Sequence, residues 1–268
     1  MTQNTLGTAL VTGASSGIGA IYADRLASRG YDLILVARNK EKLQHLAAHI
    51  TDRTGRAVEV VDADLGRSAD VKRVEDVLRR DASVTLLVNN AGIGTHTTLL
   101  DSDADRMEAM IQLNVTALMR LTYAVVPGFV VRGKGAIINI ASIVAVAPEA
   151  LNGVYGGTKA FVQAFSTSLN HELADKGIRV QAVLPGATAT EFWNVGGLGI
   201  DNLPTEIVMR AEDMVDAALV GFDRGEKTTI PALDDAGLWN AYESARHALR
   251  PHLSSRAPAT RFGIVSTH

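Results

Sequence analysis

No cysteine occurs in this chain of 268 residues, which excludes disulfides, thiolate zinc sites and a cysteine nucleophile. The same absence fits a reducing compartment, and a cytoplasmic location is the expectation. An excess of positive charge is also missing. Lys and Arg number 26 against 29 Asp and Glu, for a net charge of −3, so no basic stripe follows a phosphate backbone. Nucleic acid is not an expected partner; a small molecule is. The opening residues, MTQNTLGTALVTG, carry no basic n-region and run directly into a strand-like segment, so no signal peptide is expected. Long apolar runs are absent as well. The most apolar one, AIINIASIVAVAP, is broken by Asn139, Ser142 and Pro148 and falls short of the roughly 18 residues that a membrane span requires. No membrane span is expected. The seven histidines show no metal-ligand spacing. His45 and His49 lie one helical turn apart, but a third ligand is missing and a solvated helix face accounts for them, so no metal is expected.

What is present is alternation. Apolar runs at 8–12, 31–37, 57–63, 84–88, 135–141, 178–184 and 227–230 are mostly continuous, as in strands buried on both faces of a parallel sheet. Helical patterns fall between them, at 18–29, 40–51, 68–80, 103–127, 154–175 and 211–222. Strand and helix in turn imply βαβ units and an α/β doubly wound sheet with helices on both faces. No linker or repeat interrupts the pattern, so residues 1–268 read as a single domain. Gly30 and Gly177 each follow a helix, where a left-handed residue ends it. The last stretch, residues 250–268, has no helical period and reads as a tail.

Directly after the first strand comes TGASSGIG, with Gly13, Gly17 and Gly19 around Ser15, Ser16 and Ile18. Glycines there allow a tight turn and bring backbone N–H groups to a pyrophosphate at the start of the next helix. The spacing differs from the commonest dinucleotide fingerprint, so the turn alone gives moderate support. At the end of the second strand Ala37 stands where an NAD-binding fold places a carboxylate, and Arg38 follows. A guanidinium at that point grips a 2′-phosphate, so NADP (NADPH) is the expected cofactor and NAD is less expected.

Farther along, YGGTK sets Tyr155 and Lys159 four residues apart, on one face of a helix. Taken with TGASSGIG, NNAG at 89–92, Asn114 and Ser142, in that order, it gives a pattern that resembles the short-chain dehydrogenase/reductase family. The resemblance runs to about residue 230. It implies a Rossmann-like sheet of seven strands and reversible hydride transfer between NAD(P) and a carbonyl or alcohol. It also implies a catalytic set of Asn114, Ser142, Tyr155 and Lys159. Asp64 and Leu65 would meet the adenine, and Asn90 and Gly92 would lie near the ribose. Pro185, Gly186, Thr188 and Thr190, in PGATAT, would sit near the nicotinamide carboxamide. A homodimer or homotetramer is the family expectation.

Carbonyl reduction needs a proton as well as a hydride. A phenol ordinarily titrates near pH 10, so work at neutrality calls for a downward shift of about three units, for which Lys159 is the expected source. Ser142 would hold the carbonyl oxygen. Asn114 interrupts an apolar stripe and reads either as a water-binding relay to Lys159 or as a core amide bonded to neighbouring backbone. Phe192 and Trp193 head a glycine-rich stretch within 187–210 that reads as a lid over an apolar substrate, or as a loop packed on the core. With Val144 they suggest a hydrophobic ketone or alcohol; 3-oxoacyl, steroid, aliphatic and aromatic ketones all fit. Two other classes stay open, a non-catalytic NADPH-binding regulator and an NAD(P)-dependent lyase or epimerase. The intact Ser-Tyr-Lys set and the small segment after the sixth strand weigh against them.

Overall fold

The computed structural model describes residues 6–195 and 199–264. Strand β1 (Thr8–Thr12) is buried along its whole length, and β2 (Asp32–Ala37), β4 (Val84–Asn89) and β5 (Gly135–Ile140) nearly so. Their apolar runs are continuous because helices cover both faces. With β3 (Val58–Asp62), β6 (Ile178–Val183) and the short β9 (Thr228–Thr229), they form a parallel sheet in the order β3-β2-β1-β4-β5-β6-β9. Seven parallel strands in a doubly wound arrangement match the expected fold. The order reverses between β1 and β4, and at such a switch point a crevice opens beyond the strands' carboxyl ends.

One core cluster joins the sheet to α1 (Gly17–Ser28), α2 (Lys40–Thr54) and α8 (Ala211–Asp223) through Tyr22, Leu26, Leu43, Ile50, Met214 and Phe222. The other joins the opposite face to α3 (Ser68–Arg80), α5 (Leu118–Arg132) and α6 (Gly153–Leu173) through Val71, Val74, Leu121, Phe129 and Leu169. Both Gly30 and Gly177 take positive φ, as expected of helix-ending glycines.

The long helical pattern departs from expectation in two ways. It divides into α4 (Ala104–Ile111), a π-helical stretch at Gln112–Ala117 and α5, and it continues past Pro127 to Arg132. Pro127 lacks an N–H for the carbonyl of Tyr123, but both residues lie on the exposed side of the helix, where a missing bond costs least. The whole run, Ala104–Arg132, is long and apolar enough to cross a membrane by length and composition. In this fold it packs as a core helix, burying Leu118, Leu121, Val125 and Phe129.

Four elements have no counterpart in the sequence pattern. Strands β7 (Thr188–Ala189) and β8 (Met209–Arg210) pair in a separate two-stranded sheet, and α7 (Phe192–Val195) follows β7. The fourth is α9 (Ala236–Leu249). Where one domain was expected across the chain, it separates into two compact units, Met1–Pro231 and Ala232–His268. Considered by itself, the second unit has Asp235 capping α9 through the N–H of Gly237 (2.7 Å) and Trp239 stacked on Tyr242 with ring centroids 5.1 Å apart, but no buried residue in the helix. Beyond it, among the described residues, the expected tail makes only single turns at Arg250–His252 and Thr260–Phe262. Residues 196–198 of the expected lid and 265–268 of the tail lie outside the described residues.

Candidate active site

At the end of β1 the chain turns through Gly13, whose φ is +66°. A Cβ on Gly19 would stand 2.3 Å from the carbonyl oxygen of Gly13, so only hydrogen fits there. Thr12 and Asn90 tie this turn to the strand beside it. The Thr12 hydroxyl accepts the N–H groups of Asn90 (2.9 Å) and Ala91 (3.0 Å), while the Asn90 amide donates to the carbonyls of Thr12 (2.9 Å) and Gly13 (3.3 Å). The Asn90 side chain thus shapes the cradle.

Helix α1 then begins with Ser16 as N-cap, which makes no side-chain cap bond, and with no acid in its first turn. Its first N–H groups are left for an anion, which the helix dipole favours. Ser15, Gly17 and Ile18 are half-buried there. Thr190 lies over the turn, since a Cβ on Gly17 would come within 3.2 Å of its methyl group.

Ala37 is buried at the end of β2, and the exposed Arg38 makes no hydrogen bond or ion pair among the described residues. Beyond β3, the Asp64 carboxylate accepts the N–H of Gly66 at 3.0 Å. Leu65 follows it. Its side chain is 4% exposed and packs in the core with Val71 and Val74, which leaves only its backbone to meet a ligand.

Beyond β5, Ser142 is 8% exposed; it donates to the Pro185 carbonyl and accepts from the Val144 N–H, each at 3.4 Å. Its hydroxyl is also hydrogen-bonded to Tyr155, the third residue of α6. Burial pushes the Tyr155 phenol up to about 12, against a downward pull from Ser142. Lys159, one turn on, donates to the Ile140 carbonyl at 2.9 Å, and its nitrogen lies 5.8 Å from the centre of the Tyr155 ring. Burial pushes the ammonium down to about 8. The spacing does bring the two side chains together, but the expected drop in the Tyr155 value is reversed. Withdrawal from water favours the neutral form of both groups.

Asn114 is buried in the π-helical stretch. Its carbonyl oxygen accepts the Ile93 N–H at 2.9 Å, and its amide donates to the Ile93 carbonyl (2.8 Å) and the Thr158 hydroxyl (3.1 Å). Of the two readings, the amide bonded to neighbouring backbone is the one this geometry displays. Gly92 passes beside it. A Cβ there would stand 3.1 Å from Asn114 Oδ1 and 3.6 Å from Lys159 Nζ.

Around Tyr155 an apolar patch gathers Met110 and Val144, with Ile93, Met107, Leu151 and Phe192 partly buried against it. The Phe192 ring centroid lies 5.9 Å from that of Tyr155, and Trp193 meets Phe192 edge-on while its indole N–H donates to the Thr188 carbonyl at 2.9 Å. The Thr188 hydroxyl donates to the Gly186 carbonyl at 3.1 Å. Sequence reasoning missed Ile93, Met107, Met110 and Leu151, whose only signal was two methionines at helical spacing. It also missed Asn152, which caps α6.

The short chain dehydrogenase family profile matches residues 7–196. A short-chain dehydrogenase from Sphingobium yanoikuyae, solved in complex with NADPH, is similar at 51% identity and a TM-score of 0.92, over 95% of this chain and 98% of that one. The bulky-bulky ketone specific alcohol dehydrogenase from Comamonas testosteroni is similar at 44% identity and a TM-score of 0.89, over 97% and 99%. A very-long-chain 3-oxoacyl-CoA reductase from Anas platyrhynchos is 38% identical over 208 residues, which are 76% of this chain and 66% of that protein. The chain spans 56% to 68% of the length of four such curated relatives. With the family profile covering most of its length and the seven-stranded parallel sheet in place, the chain belongs to the short-chain dehydrogenase family.

Proposed function

We propose that this protein is an NADP(H)-dependent oxidoreductase that interconverts a hydrophobic ketone and its secondary alcohol, with Tyr155 as the general acid and base. The observation that carries the reading is the convergence of Ser142, Tyr155 and Lys159 beside an apolar patch, beyond the carboxyl end of β5. The residues fit a phosphorylated dinucleotide. The uncapped start of α1 suits the pyrophosphate, and the exposed, unpaired Arg38 suits a 2′-phosphate, where an acid would repel it. When bound, the nicotinamide supplies or accepts the hydride.

The chain's own residues manage the proton and the oxygen. The bond that Ser142 donates to the Pro185 carbonyl is long, at 3.4 Å, so its hydrogen turns readily to a carbonyl oxygen of the substrate. Tyr155, with its value near 12, keeps its proton at neutral pH, so the acid needed for carbonyl reduction is already loaded. After transfer, the charge left on the phenol oxygen is stabilised by the Ser142 hydroxyl and by Lys159, which at about 8 is still protonated at pH 7. Met107, Leu151 and Phe192, partly buried over Met110, present apolar surface to the substrate. The bulky ketone in the name of the Comamonas relative and the 3-oxoacyl group in that of the reductase agree with such a pocket.

Hydrophobic ketones and alcohols offered with NADPH and NADP, followed by absorbance at 340 nm, test the reading. NADPH consumed in proportion to alcohol formed supports it. Binding of NADPH without turnover of any member would instead favour a regulator. A homodimer or homotetramer in the cytoplasm belongs to the same proposal. Exposed Tyr123 and Val131 on α5, with Tyr123 stacked on Phe165 of α6, support the assembly, and light scattering tests it.

A further inference from the structure

We propose that Asn152 is a positioning residue that couples the loop at residues 94–102 to Tyr155, an inference that rests on the reading of Tyr155 as the general acid. The Asn152 side chain is 6% exposed, and its bonds run to two parts of the chain. Its carbonyl oxygen accepts the N–H groups of Val154 (2.9 Å) and Tyr155 (3.3 Å), the second and third amides of α6. Its amide nitrogen donates to the Thr97 carbonyl (2.7 Å) and the Ser102 hydroxyl (3.2 Å). A helix cap requires only the acceptor half, which Ser, Thr or Asp supplies equally well. The donor half requires an amide and serves the loop alone.

The loop is itself one hydrogen-bonded piece. Ser102 donates to the Thr98 carbonyl (2.6 Å) and meets the Thr97 hydroxyl (2.9 Å), which meets that of Thr95 (3.0 Å). Its first residue, Gly94, lies so close to the site that a Cβ would stand 3.1 Å from Tyr155 Cε2 and 2.4 Å from Phe192 Cζ. Tyr155 is therefore held through its main chain by Asn152, and Gly94 passes close beside its ring, with one loop behind both. A shift of that loop moves the proton donor.

Asn152→Ser retains a capping oxygen and removes the two bonds to the loop, while Ser102→Ala removes one of those two, together with the Ser102 hydroxyl's own bonds to Thr97 and Thr98, and leaves the cap untouched. Steady-state kinetics with NADPH and the best ketone of the panel, beside the NADPH dissociation constant and Tm, read the effect. The expected result for Asn152→Ser is a fall in kcat of about tenfold or more, with NADPH affinity and Tm close to the parent. Ser102→Ala should lower kcat in the same direction by less. Parental kcat in Asn152→Ser would overturn the coupling and leave Asn152 as a cap only. If Asn152→Ser does not fold, Ser102→Ala decides alone, and parental kcat there overturns the coupling too. Tyr155→Phe is the control that separates the two readings. Turnover surviving in it refutes the role of Tyr155, whereas a dead Tyr155→Phe beside a fully active Asn152→Ser refutes the coupling alone.

Discussion

Replacing Lys159 with methionine should change stability in a direction that depends on pH. The ordinary lysine value is 10.5, and in the folded chain burial brings it to about 8. At about 1.36 kcal/mol for each unit, holding that ammonium in the fold costs roughly 3 kcal/mol at pH 7. Between pH 8 and 10.5 the unfolded chain keeps the proton that the folded chain has released. The unfolded state then binds more protons, so parental stability rises with pH across this window. Methionine is of similar length and carries no such cost. It also gives up the bond to the Ile140 carbonyl and leaves that acceptor unpaired, at about 1 to 3 kcal/mol. At pH 7 the variant should therefore equal the parent or exceed it by up to about 2 kcal/mol, while losing activity. The advantage should shrink by about 2 kcal/mol between pH 7 and 9.5, or roughly 4 to 8 °C in Tm. Thermal unfolding of both proteins in a matched pH series gives the comparison, with contributions from unchanged groups cancelling in the difference. A gap that stays constant from pH 7 to 9.5 would refute the desolvation of Lys159.

Tyr155→Phe should lower kcat by about 10²-fold or more, with NADPH affinity retained, as measured at 340 nm and by fluorescence titration. Arg38→Asp should weaken NADPH binding by about tenfold or more and move selectivity toward NADH, because an acid there repels a 2′-phosphate; unchanged selectivity would remove Arg38 from its role. Gly94→Ala forces its Cβ to 2.4 Å from Phe192 Cζ. Since Tyr155 is buried and capped, Phe192 must swing out, at about 1 to 3 kcal/mol. The expected result is a lower Tm and a raised KM for bulky ketones.

The βαβ order and the glycine turn were legible because both are local. A continuous apolar run marks a strand covered on two faces, and a turn that admits no Cβ marks itself with glycine. The Tyr155–Lys159 pair was legible for the same reason, since four residues of helix bring the groups onto one face. Strands β7 and β8 were not, because each has two residues and too few positions to display a period. Helix α9 escaped attention because a helix with no buried residue has no apolar face that must recur.

The sequence by itself determined the fold class and the residue types the chemistry needs, through spacings that act within one turn or one strand. Only the tertiary structure decided what those residues experience. Asn152 meets Thr97 across 55 positions, Asn114 meets Thr158 across 44, and Leu65 turns into the core. Lys159 and Tyr155 shift toward their neutral forms because distant strands and helices exclude water around them. Proton affinity depends on the whole surroundings of a group, and those surroundings exist only once the chain has folded.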